Sequence, residues 1–160
     1  NSIIPSIGQI VEIVPIKDLR KVALTWPIVY KSQTERTNAL LTKQATYIRH
    51  LLGHQGPGSL LSYLKRQGWA NNVQAGVPSK QSDFALFEAT VSLTKQGLAN
   101  VDQVVEALFS YIRMLRDQKI PRYVFEEVLQ LDELEWRFAS KGGARALASS
   151  VATAMQKYDP

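Results

Sequence analysis

His50 and His54 are the only histidines among the 160 residues, and their i, i+4 spacing would place both imidazoles on one face of a helix. Helical zinc proteases hold their metal at that spacing. The chemistry also needs a glutamate as general base, directly after the first histidine or directly before the second. Leu51 and Gly53 stand at those positions. No carboxylate lies nearby in sequence as a third ligand, and Gly53 is placed to end the helix that would align the rings. The two histidines therefore read as helix-end residues, and no metal or cofactor is expected in this segment.

The following run, Gly53-His54-Gln55-Gly56-Pro57-Gly58-Ser59, has glycines spaced like a phosphate-cradling loop that leads into a helix. The loop lysine is missing, and the element before it reads as a helix rather than a strand. Its glycines are better explained as a tight corner that lets one helix pack closely on the next, stiffened by Pro57. Nucleophilic catalysis has no purchase either, because no Gly-x-Ser-x-Gly elbow occurs and there is no cysteine. The carboxylates from Glu126 to Glu135 read as the solvated face of an amphipathic helix. The chain thus composes no complete catalytic or metal site of its own.

These residues need elements to position them, and the composition allows a real core. Apolar types make up 45% of the residues and charged types 21%, which suits one globular domain over 1–160. Without cysteine there is no disulfide framework, and an intracellular setting, cytoplasmic or organellar, fits best. Nineteen Lys and Arg against fourteen Asp and Glu give a net charge of +5. The basic residues are scattered over many elements, so no nucleic-acid partner is expected. No apolar stretch approaches the roughly 20 residues of a membrane span, and Asn1-Ser2-Ile3-Ile4-Pro5 lacks signal-peptide character. No membrane partner is expected. The start on asparagine suits a piece of a longer polypeptide.

The periodicities predict an α+β fold, with an antiparallel-rich sheet covered by helices. Gln9 to Val14 and Lys21 to Trp26 read as two strands, ended by Pro15 and Pro27 and paired as a hairpin. Asn38 is a plausible N-cap for a helix carrying Leu41, Ala45, Ile48 and Leu52 on one face up to Gly53. Ser59 opens a second helix with Leu60, Leu61 and Leu64 inward, and Gly68 closes it. Trp69 to Gly76 reads as a strand and Val77 to Ser82 as a loop. A clear strand follows, in which Ala85, Phe87, Ala89, Val91 and Leu93 alternate with more polar neighbours.

Asn100 with Gln103 has capping-box spacing before Val101, Val104, Val105, Leu108, Ile112 and Leu115. Pro121 starts another helix, with Val124, Val128, Leu131 and Phe138 along one side. Lys141-Gly142-Gly143 breaks it, and Ala144 to Lys157 reads as a last helix.

Beyond periodicity, several segments carry a resemblance. They are Ile13-Val14-Pro15-Ile16-Lys17-Asp18-Leu19-Arg20, Thr25-Trp26-Pro27, His50-Leu51-Leu52-Gly53-His54-Gln55-Gly56-Pro57-Gly58-Ser59-Leu60-Leu61 and Lys65-Arg66-Gln67-Gly68-Trp69-Ala70. In order and spacing the chain resembles the insulysin and pitrilysin family of zinc peptidases. It looks like the second, zinc-free domain of the four homologous domains of an insulysin. The likeness continues through the Leu93-Thr94-x-x-Gly97 turn and Phe138.

The resemblance implies a non-catalytic domain whose parent enzyme holds zinc in a preceding domain, and whose partners are peptide substrates and the other domains of the same peptidase. It implies an exosite that holds the N-terminal part of a peptide as an added strand, on His50, Gly53 and Gln55 in the corner and on Val73 and Ala75 in the strand after Trp69. Two departures stand out. Gln55 occupies a position where the family usually has glutamate, and Ala75 lies near an expected glycine. The family's domain also continues past Pro160, so this copy is expected to be truncated at its C-terminal side. Competing readings are a structural core or processing-peptidase-type subunit without catalysis, and a basic nucleic-acid adaptor.

Overall fold

The computed structural model describes residues 8–80, 84–118, 121–140 and 142–155. Three strands, β1 (Lys21–Val29), β2 (Ala70–Lys80) and β3 (Phe84–Leu93), form one antiparallel sheet in the order β1-β3-β2. The period of two in β3 dictates its central place. Ala85, Phe87, Ala89, Val91 and Leu93 are all buried, while their neighbours are half-buried. Paired on both sides, β3 aligns Trp26 with Phe87 on β1, and Val73 with Val91 on β2. The expected α+β class with an antiparallel sheet is what the chain adopts.

The hairpin at the start is not formed. Gln9 to Val14 is irregular, with Ile10, Val11, Ile13 and Val14 all exposed, and β1 takes β3 as its partner instead. Pairing there lets Val22, Leu24 and Trp26 reach the core, which a hairpin with the short segment before Pro15 would not supply. Pro27 also fails to stop its strand, and β1 runs on to Val29. Among the described residues β1 is an edge strand with one side without ladder bonds, so a missing N–H is tolerated. Proline is accommodated differently in β2, where Pro78 falls within the register shift between Gly76 and Ser79, so the strand runs to Lys80 through residues expected as a loop. Gln81 and Ser82, the end of that expected loop, lie outside the described residues, as does Asp83.

The helices are α1 (Gln33–Thr42), α2 (Gln44–Gly53), α3 (Leu60–Arg66), α4 (Lys95–Leu98), α5 (Val101–Asp117), α6 (Arg122–Arg137) and α7 (Ala144–Met155). The single helix expected from Asn38 is two. Its first part starts earlier because Ser32 and Glu35 satisfy the opening turn: Ser32 Oγ accepts from Glu35 N at 3.2 Å, and Glu35 Oε2 accepts from Lys31 N at 2.8 Å. Lys43, with φ 50°, then breaks α1 from α2. Asn38 therefore lies inside α1.

At the next corner the sequence pattern holds closely. Ser59 Oγ accepts from Ser62 N, Leu60, Leu61 and Leu64 are buried, and Gly68 at φ 72° turns the chain into β2. Asn100 stands at the start of α5 without the capping box, since its Nδ2 donates to Gln96 O at 2.8 Å instead. The one-turn α4 before it, capped by Thr94, was not expected from the sequence. In α6 Val124 and Val128 are buried as the pattern predicts, whereas Leu131 is 47% exposed and Phe138, just past the end of the helix, is 75% exposed. Gly142 and Gly143 precede α7 as expected. Lys141 and the expected helical residues 156–157 lie outside the described residues.

The core forms where the buried face of β3 and β2 meets α3 and α5, through Leu61, Leu64, Val73, Val91, Val104 and Leu108 among others. Burying each such side chain stabilises the fold by about 2 kcal/mol. That core fixes α3, and through the glycine corner it fixes the end of α2.

Candidate functional site

Leu52, buried on α2, anchors the last turn of that helix. The chain then leaves through Gly53 to Gly58, and one glycine there has a backbone reason. Gly58 has φ 79°, which a side chain disfavours. A Cβ on Gly56 would come within 2.7 Å of His54 Nε2, so the His54 ring lies over that residue.

Helix α6 closes over the other side of α2. Tyr47 and Phe125 stack at 6.1 Å, Lys43 pairs with Asp132, and His50 Nε2 lies 3.3 Å from Glu127 Oε2. Asp132, by its hydrogen bond and its charge, holds Lys43 above the usual lysine range. Tyr111 of α5 donates a long bond of 3.4 Å to Leu51 O, and burial pushes its phenol up, with Tyr123 adding to the effect. The carboxylates of α6 are largely exposed, as expected, and two of them, Asp132 and Glu127, also meet Lys43 and His50. The sequence places no acid beside the histidines, but the fold brings Glu127 to His50, a pairing with no local sequence signal.

Between α2 and α6 lies a cavity of about 300 Å³. His50, Gly53 and Gln55 line it together with Arg49, Asp132 and Glu135. Three of the five residues expected to form an exosite therefore meet in one cavity. Val73 and Ala75 are elsewhere, on β2, where Val73 is buried and Ala75 packs against the core. Their side chains serve the core, which leaves their backbone groups as what they can offer a ligand. Being two apart in a strand, they direct those groups to the same side. Among the described residues β2 has β3 as its one strand neighbour, so it is an edge. Arg49 links the two places, since it lines the cavity and its Cδ would lie 3.7 Å from a Cβ on Gly76 of β2.

A larger cavity, about 530 Å³, opens between α3 and α5 and is lined by Tyr63, Arg66, Trp69, Glu106, Tyr111 and Met114 among others. It contains none of the five expected residues.

Among the described residues, no three His, Cys, Asp or Glu side chains are grouped so as to hold a metal ion. His50 and His54 have ring centroids 6.3 Å apart, with Glu127 at His50 alone in the described ion pairs. We expect the chain to retain no stoichiometric zinc after dialysis. Elemental analysis checks this, and one zinc per chain would refute it. No helix among the described residues is long and apolar enough to cross a membrane.

The family described as Peptidase M16 inactive domain matches residues 3–131. An insulin-degrading enzyme of Drosophila melanogaster is 36% identical over 151 residues, covering 94% of this chain and 15% of that protein. The insulin-degrading enzyme of Homo sapiens is 36% identical over 150 residues, covering 94% of this chain and 14% of that protein. Among solved structures, a crystal structure of pitrilysin superposes with a TM-score of 0.76 at 27% identity, covering 86% of this chain and 14% of that one. The chain spans about 15% of the length of the curated relatives it matches.

Proposed function

The chain belongs to the M16 peptidase family, as a domain of its inactive type, and from that premise we propose that it holds the N-terminal part of an extended peptide for a larger zinc endopeptidase. In this reading it is the second domain of an N-terminal lobe. The zinc of the parent enzyme is bound by a preceding domain, and this domain contributes substrate holding and architecture.

One observation carries the reading: His50, Gly53 and Gln55 gather around a single cavity at the end of α2, and Arg49 of that helix reaches the edge strand β2. An edge strand offers a regular row of N–H and C=O groups, which gives affinity for an extended peptide with little demand on its sequence. The cavity then receives the peptide's first residue. Glycine at position 53 keeps that approach open, since nothing lies within 4 Å of where its Cβ would be. Holding by backbone suits an enzyme that selects flexible peptides rather than a fixed motif.

The test uses Gln55. A carboxylate facing a terminal ammonium contributes about 1 kcal/mol more than a neutral amide when the site is partly desolvated. Backbone pairing along Val73 to Ala75 is indifferent to that change. Gln55→Glu is therefore expected to raise the affinity for free-amine peptides several-fold and to leave N-acetylated peptides nearly unchanged, as read by titration calorimetry. Equal gains for both peptides would show that Gln55 does not face the terminus. If neither protein binds either peptide, the domain is scaffold alone.

A further inference from the structure

We infer that Glu135, on the α6 wall of the cavity, is the residue that selects a free N-terminal ammonium in this chain. The inference rests on the peptide-holding reading above and names a specificity determinant within it.

The charges around the cavity single out Glu135. Five ionisable side chains line it: Arg49, His50 and His54 from α2 and the corner, and Asp132 and Glu135 from α6. Asp132 is committed to the ion pair with Lys43. His50 is held by Glu127 from outside the lining. The His54 ring lies against Gly56. Arg49 has its stem against β2 at Gly76. Glu135 has no ion-pair partner among the described residues. Among the described residues it is thus the carboxylate that lines the cavity outside a direct ion pair, while its charge also acts on Lys43.

To the same cavity the corner supplies Gln55, a neutral amide that can accept a hydrogen bond from an ammonium but cannot balance its charge. A peptide lying along β2 with its first residue in the cavity would bring its ammonium between the two. Gln55 then contributes one acceptor and Glu135 the counter-charge. The spacing along α6 supports this orientation. Val128, Leu131 and Glu135 follow one another at intervals of three and four, so they share the helix face turned to the cavity, and Val128 is buried on it.

The experiment compares the chain with Glu135→Gln, Gln55→Glu and the double variant. Each is titrated with one unstructured oligopeptide in free-amine and N-acetylated forms, after circular dichroism has shown an unchanged fold. The unaltered chain is expected to prefer the free amine by about fivefold, the worth of one charge-assisted contact. Glu135→Gln abolishes that preference by weakening the free-amine peptide alone, and Gln55→Glu restores it in the double variant. A preference that survives Glu135→Gln overturns the assignment while the peptide-holding reading stands. Equal weakening of both peptides also overturns it, because it marks Glu135 as a structural support for α6. Absence of binding by every protein overturns the peptide-holding reading and this assignment with it.

Discussion

Gly97→Ala is expected to destabilise the fold by about 3 kcal/mol or more, through a clash that the surrounding backbone cannot relieve. A Cβ at Gly97 would sit 1.8 Å from Trp69 O, 2.7 Å from Trp69 C and 3.1 Å from Trp69 Cα. All three are main-chain atoms, so no side chain can swing away. The same carbonyl accepts from Thr94 N at 3.0 Å. Thr94 Oγ1 donates to Gly68 O at 2.6 Å and accepts from Gly97 N at 2.9 Å, which caps α4. Moving Gly97 away would therefore pull on the bonds that tie the end of β3 to the start of β2. Each of those is worth about 1 kcal/mol, and more if a buried group is left unpaired.

Urea unfolding reads the effect as a lower midpoint at unchanged slope, because the surface exposed on unfolding is the same. For a chain of this size the thermal midpoint should fall by roughly 10 °C. An unchanged midpoint would mean that the Gly97 backbone does not approach Trp69 so closely.

This close approach also shows what kind of information the sequence held. The run Leu93-Thr94-x-x-Gly97 stands out by likeness to a family. Its physical reason, a threonine cap and a glycine pressed on a carbonyl from another element, exists only once α4 folds against the Gly68 turn. Elements whose signals are local were legible. The alternation of β3 follows from one face being buried, and Ser59, Leu60, Leu61, Leu64 and Gly68 mark a complete short helix with both its ends. Gln9 to Val14 shows the limit of such signals, for alternation without a partner strand makes no strand. Lys43 in a left-handed conformation has no signature at all in residue type, so one expected helix became two.

The candidate site divides in the same way. Periodicity put His50 and Gly53 at the end of a helix, and it is the family resemblance that pointed to Gln55, Val73 and Ala75 as ligand-facing. Neither could find the second wall. Glu127, Asp132 and Glu135 belong to a helix far along the chain, and their roles depend on which face of α6 packs on α2. Composition alone makes them a solvated acidic stripe, and packing against α2 brings part of that largely exposed stripe to Lys43 and His50.

Trp69→Ala is expected to cost on the order of 3 kcal/mol, for a reason different from that at Gly97. Trp69 is half-buried and packs on the core, and its ring meets Tyr63 edge-on at 6.4 Å. Removing a half-buried indole gives up about 100 Å² of apolar burial, or ~2.5 kcal/mol at ~25 cal/mol per Å². The lost aromatic pair adds about 1 kcal/mol. Because the side chain also lines the open cavity between α3 and α5, water can enter the space it leaves, and the penalty for an empty void is correspondingly small. A double-mutant cycle with Tyr63→Ala isolates the aromatic part as a coupling of about 1 kcal/mol.

A second cycle, with Gly97→Ala, tests whether the two stability predictions have separate causes. Neighbouring residues usually couple. Here the Gly97 clash is with the carbonyl of residue 69, which alanine retains, so the two losses should add. Additivity in the Gly97 cycle with coupling in the Tyr63 cycle would establish that Trp69 acts through its ring toward α3 and through its main chain toward α4. Strong coupling between Gly97→Ala and Trp69→Ala would instead show that the indole itself holds the carbonyl in the path of Gly97, and that the two effects are one.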